Sequence, residues 1–188
     1  MKKLESTLPN MFIVLTLIAL VSASALAVTN FKTAPILEEL ARQRRIQAVA
    51  QVVPDFDNAP TEESFFSADD PAIEIFPATL GGEPVGYAVQ SISNNAYSGS
   101  IELMVGFDRE GAVTGLSILR HQETPGLGAR ITEEEFRSGF VGLRPADQPV
   151  AVTGDGGTVD AITAATISTR AVTEAVQRGW KALEGGIR

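Results

Sequence analysis

Charge is absent from Ser6 to Phe31, and Met11–Val28 is almost wholly apolar. About 20 helical residues cross a hydrocarbon core of about 30 Å, so this pattern predicts a transmembrane helix over residues 11–30, after a short tail over 1–10. The same features fit a cleaved leader: Lys2 and Lys3 make a basic start, and Ala23-Ser24-Ala25 or Ala25-Leu26-Ala27 supply small residues for cleavage. Apolarity that continues through Val28 favours a retained anchor. Beyond it, Ile36, Leu37, Leu40, Ile46, Val49, Ala50 and Val53 recur near helical spacing among charged residues. That predicts an amphipathic helix over Pro35–Val53, ended by Pro54 and followed by a loop to Pro71.

From residue 72 the pattern shortens to strand length. Ala72–Ala78, Pro84–Ile92 and Ser100–Phe107 are β-like runs, and a turn at Asp108–Gly111 leads into Ala112–Leu119 as a hairpin. Thr132 and Glu135 have capping-box spacing at the head of a helix, and Glu133–Glu135 suit its positive end. A last helix is predicted over Thr169–Glu184, with Val172, Ala175, Val176, Gly179 and Leu183 on one side and Gly185-Gly186 as its stop. The fold class expected is α+β: one N-terminal membrane helix, then a mainly antiparallel sheet with packed helices over 72–188.

Composition narrows the chemistry. The formal charge of −8, with a basic cluster no larger than Arg42, Arg44 and Arg45, disfavours a nucleic-acid partner. The chain has no cysteine and one histidine, His121. Disulfides, thiolate metal sites, cysteine-ligated clusters and a cysteine nucleophile are thereby excluded, and a His-rich metal site is hard to build. No metal site and no catalytic residue is expected. Redox chemistry would need an organic cofactor.

Two segments are candidates for holding one. In Asp160-Ala161-Ile162-Thr163-Ala164-Ala165-Thr166-Ile167-Ser168-Thr169, a turn of small residues delivers Thr166 to a helix start, where unpaired N–H groups and the helix dipole attract a phosphate. The plainer account is that Thr166 or Ser168 caps the helix. In His121-Gln122-Glu123-Thr124-Pro125-Gly126-Leu127-Gly128, Pro125-Gly126 is a turn pair, and two glycines allow the backbone to approach a flat ligand.

These segments resemble the extracytoplasmic FMN-binding domain family. The first is similar to its flavinylation motif, Asp-x-x-Ser/Thr-Gly-Ala-Ser/Thr, with Asp160, Thr163, Ala165 and Thr166 in the matching positions. Ala164 stands where the family has glycine, a difference that matters if the position needs positive φ. The second resembles the His-x-Glu-Thr-Pro-Gly-Leu-Gly segment of RnfG and NqrC subunits. Tyr97-Ser98-Gly99 and Val105-Gly106-Phe107-Asp108 also look like the family, so the resemblance spans roughly residues 72–188.

The resemblance implies one FMN bonded through its phosphate to Thr166, with Asp160, Thr163, Ala164, Ala165, His121, Glu123, Thr124, Pro125, Gly126, Leu127 and Gly128 around it. It further implies a separate flavin transferase for attachment and the company of other membrane subunits. The compact region before the domain looks more like RnfG, whose complexes pass electrons between ferredoxin and NAD while moving ions. An NqrC-like subunit of a Na⁺-translocating NADH:quinone reductase is the second choice, and a non-redox extracytoplasmic ligand-binding domain the rival from another class. The implied location is the bacterial cytoplasmic membrane, single-pass, with the flavin domain on the outer, periplasmic face. Charge does not decide the sidedness, because Lys32, Arg42, Arg44 and Arg45 after the span offset Lys2 and Lys3 before it.

Overall fold

The computed structural model describes residues 7–187, so most of the expected tail over 1–10 lies outside the described residues. The chain divides into two compact units, residues 1–43 and 44–188. The first consists, among described residues, of most of one helix, α1 (Leu8–Val52). Every side chain over residues 11–28 is exposed. This helix is long and apolar enough to cross a membrane, and uniform apolar exposure is what lipid contact would cover.

The amphipathic helix expected over Pro35–Val53 is not a separate element but the continuation of α1, with Pro35 inside it. Proline removes one amide donor from the ladder. Helical bonding resumes on either side, and Thr33 Oγ1 donates to the Thr29 carbonyl just upstream. Burial is also confined to the end of this stretch. Ala48, Val49, Val52 and Val53 are buried, whereas Ile36, Leu37, Leu40 and Ile46 remain exposed.

The second unit is an α+β fold built on a five-stranded antiparallel sheet in sequence order. Its strands are β1 (Phe65–Phe66), β2 (Glu74–Leu80), β3 (Glu83–Ala96), β4 (Gly99–Asp108) and β5 (Val113–Arg120). β1 lies within the stretch expected to be loop, too short for a periodic signal. Period-two alternation gives the sheet two apolar faces. Ile75, Val89, Leu103, Val105 and Phe107 turn to one core, and Phe76, Ala78, Ala88 and Met104 to another.

Each face is covered by a helix. The end of α1 supplies Ala48, Val49 and Val52 to the second core. It lies so close that a Cβ on Gly106 would overlap the Val52 carbonyl, and Thr114 Oγ1 donates a hydrogen bond to the same oxygen. The first core is covered by α3 (Thr166–Ile187) through Ala171, Val172, Ala175, Val176, Ala182 and Leu183. This helix begins three residues earlier than expected and runs through Gly185-Gly186. A Cβ on Gly185 would overlap Asp69 Oδ2, so glycine here admits a close neighbour instead of ending the helix.

The short helix α2 (Glu134–Ser138) corrects the capping-box expectation. Thr132 belongs to a preceding 3-10 turn over Gly128–Thr132, and its hydroxyl donates to the Ala129 carbonyl. Glu133 occupies the cap position with no side-chain cap bond. Glu134 and Glu135 still place negative charge in the first turn, where the dipole favours it.

Candidate functional site

Two tight turns and a helix start converge on one side of the second unit. In the turn over residues 124–127, the Leu127 N–H donates to the Thr124 carbonyl at 3.2 Å, with Pro125 second and Gly126 third at φ +74°. In the turn over 162–165, the Ala165 N–H donates to the Ile162 carbonyl at 2.9 Å, with Ala164 third at φ +64°. Positive φ at the third residue is what a type II turn demands. Ala164 is the one non-glycine with positive φ among the described residues. The position where the related motif has glycine therefore does need that backbone shape.

The second turn is held to the helix by Thr169. Its Oγ1 accepts the Ile162 N–H and donates to the Ala165 carbonyl, both at 3.1 Å. The first helical bond of α3 runs from the Thr169 N–H to the Ala165 carbonyl at 3.0 Å. The amides of Thr166, Ile167 and Ser168 thus precede the first helical donor and have no partner in the ladder, leaving three donors at the positive end of a 22-residue helix. Neither hydroxyl proposed as a cap serves as one. Ser168 Oγ donates to Glu123, and Thr166 Oγ1 makes no hydrogen bond among the described residues.

The resulting open cavity of about 570 Å³ is lined by Tyr97, Glu123, Thr124, Leu127, Gly128 and residues 164–168. Tyr97, Leu127 and Ile167 are exposed apolar surfaces on its wall. Its size is in the range that holds drug-sized ligands. Donors for an anion at one place and apolar walls for a flat body at another suit a ligand with both parts, which is the character of FMN. Nothing in the lining groups three ligating side chains for a metal.

The structure brings Glu123, Thr124, Leu127, Gly128, Ala164, Ala165 and Thr166 together on this cavity. It does not bring His121, Pro125, Gly126, Asp160 or Thr163 into the lining. His121 Nδ1 accepts the Glu123 N–H at 3.2 Å, and Pro125 and Gly126 shape the turn from its outer side. Asp160 and Thr163 line a separate hollow of about 350 Å³ with Arg130, Glu133 and Phe136. Tyr97, Ile167 and Ser168 were not expected among the site residues. Their placement depends on how the β3–β4 turn and the helix start meet, which spacing along the chain does not reveal.

Charge near the helix start is organised by Arg170, one turn beyond Thr166. Its guanidinium grips Asp155 through two bonds of 2.6 and 2.8 Å. The hydrogen bond to Arg170 holds the Asp155 carboxyl below its ordinary value, and the same bond raises Arg170.

Residues 96–181 match the FMN-binding domain family. The chain is 32% identical over 178 residues to the G subunit of the Na⁺-translocating ferredoxin:NAD⁺ oxidoreductase complex of Acetobacterium woodii, covering 87% of this chain and 86% of that one. It is 36% identical over 178 residues to the G subunit of the ion-translocating oxidoreductase complex of Pectobacterium atrosepticum, covering 87% and 85%. In fold it is similar to the crystal structure of the NqrC-type component of the Na⁺-translocating NADH-quinone reductase from Parabacteroides distasonis, with a TM-score of 0.50 over 71% of each chain at 19% identity. With this much identity over most of its length, the chain belongs to the RnfG family, the G subunits of ion-translocating oxidoreductase complexes, and carries that family's FMN-binding domain.

Proposed function

We propose that the chain is a membrane-anchored electron carrier, with FMN bonded through a phosphoester to Thr166. The observation that carries this reading is the position of Thr166. It is the first residue of α3, its hydroxyl is unengaged among the described residues, and it lies on the cavity beside three unpaired amides. An FMN phosphate at Thr166 would meet those amides and the helix dipole. The isoalloxazine would lie against Tyr97, Leu127 and Ile167, with Thr124 and the Gly128 backbone beside it.

When bound, FMN supplies one- and two-electron redox chemistry. The chain's own residues bind and orient it, and their apolar walls keep part of its face from water. A covalent bond has a physical advantage here. FMN has roughly thirty non-hydrogen atoms, and about 0.3 kcal/mol per atom gives about 9 kcal/mol, or near-micromolar affinity. A reversible site of that strength empties where free flavin is scarce, whereas a phosphoester does not.

Attachment is a phosphoryl transfer to the Thr166 hydroxyl, assigned to a separate flavin transferase. Asp160 lies on the neighbouring hollow and not on the cavity lining, which favours a role for it in recognition by that enzyme over contact with bound flavin. The likeness to G subunits supports a place among the other membrane subunits of an Rnf-type complex, relaying electrons between ferredoxin and NAD with ion movement. In this reading α1 is the single membrane span and the second unit is on the outer face.

The decisive experiment co-expresses the chain with a flavin transferase. Expected are one added FMN by intact mass, a fluorescent band that survives denaturation, and the modified peptide mapping to Thr166. A colourless protein, or FMN on Thr163, Ser168 or Thr169 alone, overturns the assignment. Protease reaching the second unit only from the cytoplasmic side overturns the orientation.

A further inference from the structure

Glu123 is the one carboxylate on the cavity lining, and it is 5% exposed. It joins three separate segments. Its Oε1 accepts the Ser98 N–H at 2.8 Å in the turn between β3 and β4, beside Tyr97. Its Oε2 accepts the Ser168 hydroxyl at 2.5 Å in the first turn of α3, two residues from Thr166. Its own backbone leads into the turn over 124–127. Gly128 closes against this pair: a Cβ there would overlap Oε2 and lie 2.7 Å from Ser168 Oγ.

No Arg, Lys or His forms an ion pair with Glu123 among the described residues. A buried carboxylate without a cation is costly even when hydrogen-bonded. The fastening itself does not require the charge. A glutamine could accept the Ser98 N–H with its oxygen and donate to Ser168 Oγ with its amide, at lower desolvation cost. The charge is therefore the part of this residue that packing leaves unexplained, and it stands in the wall of the cavity.

We propose that Glu123 is a positioning residue that fastens the β3–β4 turn, the 124–127 turn and the start of α3 into one cleft, and that its uncompensated charge holds the bound flavin at a lower reduction potential. This rests on the FMN reading above. Reduction of a bound flavin would add negative charge beside this wall. A fixed carboxylate in a poorly solvated wall opposes that charge more strongly than water would allow.

Two substitutions separate the two roles. Glu123→Gln removes the charge and retains both hydrogen bonds, and Ser168→Ala removes one bond and retains the charge. The full chain, purified in detergent with its FMN attached, is titrated with dithionite against reference dyes, and its thermal melting is recorded. Glu123→Gln is expected to melt close to the parent and to favour flavin reduction about tenfold, a positive shift of about 59 mV for a one-electron step. Ser168→Ala is expected to melt lower and to show no positive shift.

A flavin-loaded Glu123→Gln chain with the parent's midpoint, or a more negative one, overturns the inference. So does an equal positive shift in Ser168→Ala, because loosening alone would then set the potential. Failure of Glu123→Gln to fold overturns the premise that fastening does not require the charge, and with it the inference that the charge acts separately on the flavin. A parent chain that carries no flavin overturns the FMN reading and this inference together, whereas a loaded parent with unmoved variants overturns this inference alone.

Discussion

The turns over residues 124–127 and 162–165 flank the same cavity and share one backbone shape, with positive φ at the third residue of each. One has Gly126 there and the other Ala164. An added Cβ on Gly126 would meet nothing within 4 Å, so its glycine serves conformation alone. Gly128 is the converse case: it does not have positive φ, and its glycine serves space, with Glu123 and Ser168 packed where a side chain would be. Ala164 keeps its methyl group at the cavity and holds a conformation that costs an L-residue about 1–2 kcal/mol. Strain at a non-glycine persists only where its surroundings enforce it. Here the Thr169 hydroxyl clamps both ends of the turn.

The largest expected effect tests what the strained turn delivers. Thr166→Ala should abolish covalent flavin completely. Because the Thr166 hydroxyl bonds to nothing among the described residues, its loss should fall at the low end of the roughly 0.5–2 kcal/mol that a cap is worth. The chain should remain folded and in the membrane fraction while the band becomes colourless; a fluorescent denatured band from this variant refutes the site.

Gly128→Ala comes next, because the clash with Glu123 and Ser168 is steric. Overpacking of this kind costs about 1–3 kcal/mol, seen as a lower melting temperature. The comparison breaks if Gly128→Ala is neutral. Gly126→Ala should be milder, about 1 kcal/mol, because open space surrounds the position and only φ is penalised.

Ala164→Gly is the mirror of that last change and the smallest effect, with the opposite sign. Relief of about 1–2 kcal/mol of left-handed strain is partly offset by the greater freedom of glycine in the unfolded chain, leaving about 0.5–1 kcal/mol of stabilisation. Flavin attachment should be at least as complete as in the parent. Destabilisation by Ala164→Gly would show that the methyl group packs more usefully than its backbone position suggests. Chemical denaturation of the four variants side by side measures their stability changes on one scale.

Sequence alone was enough for whatever depends on local pattern. An uncharged apolar run predicts a helix long and apolar enough to cross a membrane, period-two alternation predicts β2 to β5, and Pro125-Gly126 predicts a turn that forms. Boundaries were less legible, because they depend on what packs nearby. The helix expected to start at Pro35 is continuous with the one before it, and Gly185-Gly186 did not end α3, where close packing against Asp69 outweighs glycine's local preference of about 1 kcal/mol. Thr132 was drawn into a 3-10 turn before it could cap α2.

The candidate site divides the same way. The motif order along the chain placed Thr124, Leu127, Gly128 and Thr166 near one another through a resemblance, but periodicity could not say that Asp160 and Thr163 face a different hollow. Only the fold decided that Ala164 stands at positive φ, that Ser168 donates to Glu123 and not to the helix, and that this carboxylate is buried with no ion pair among the described residues. Hydrophobic pattern is a property of neighbours in sequence. Burial, strain and the pairing of charge are set by neighbours in space, and those come together only when the sheet and α3 are packed.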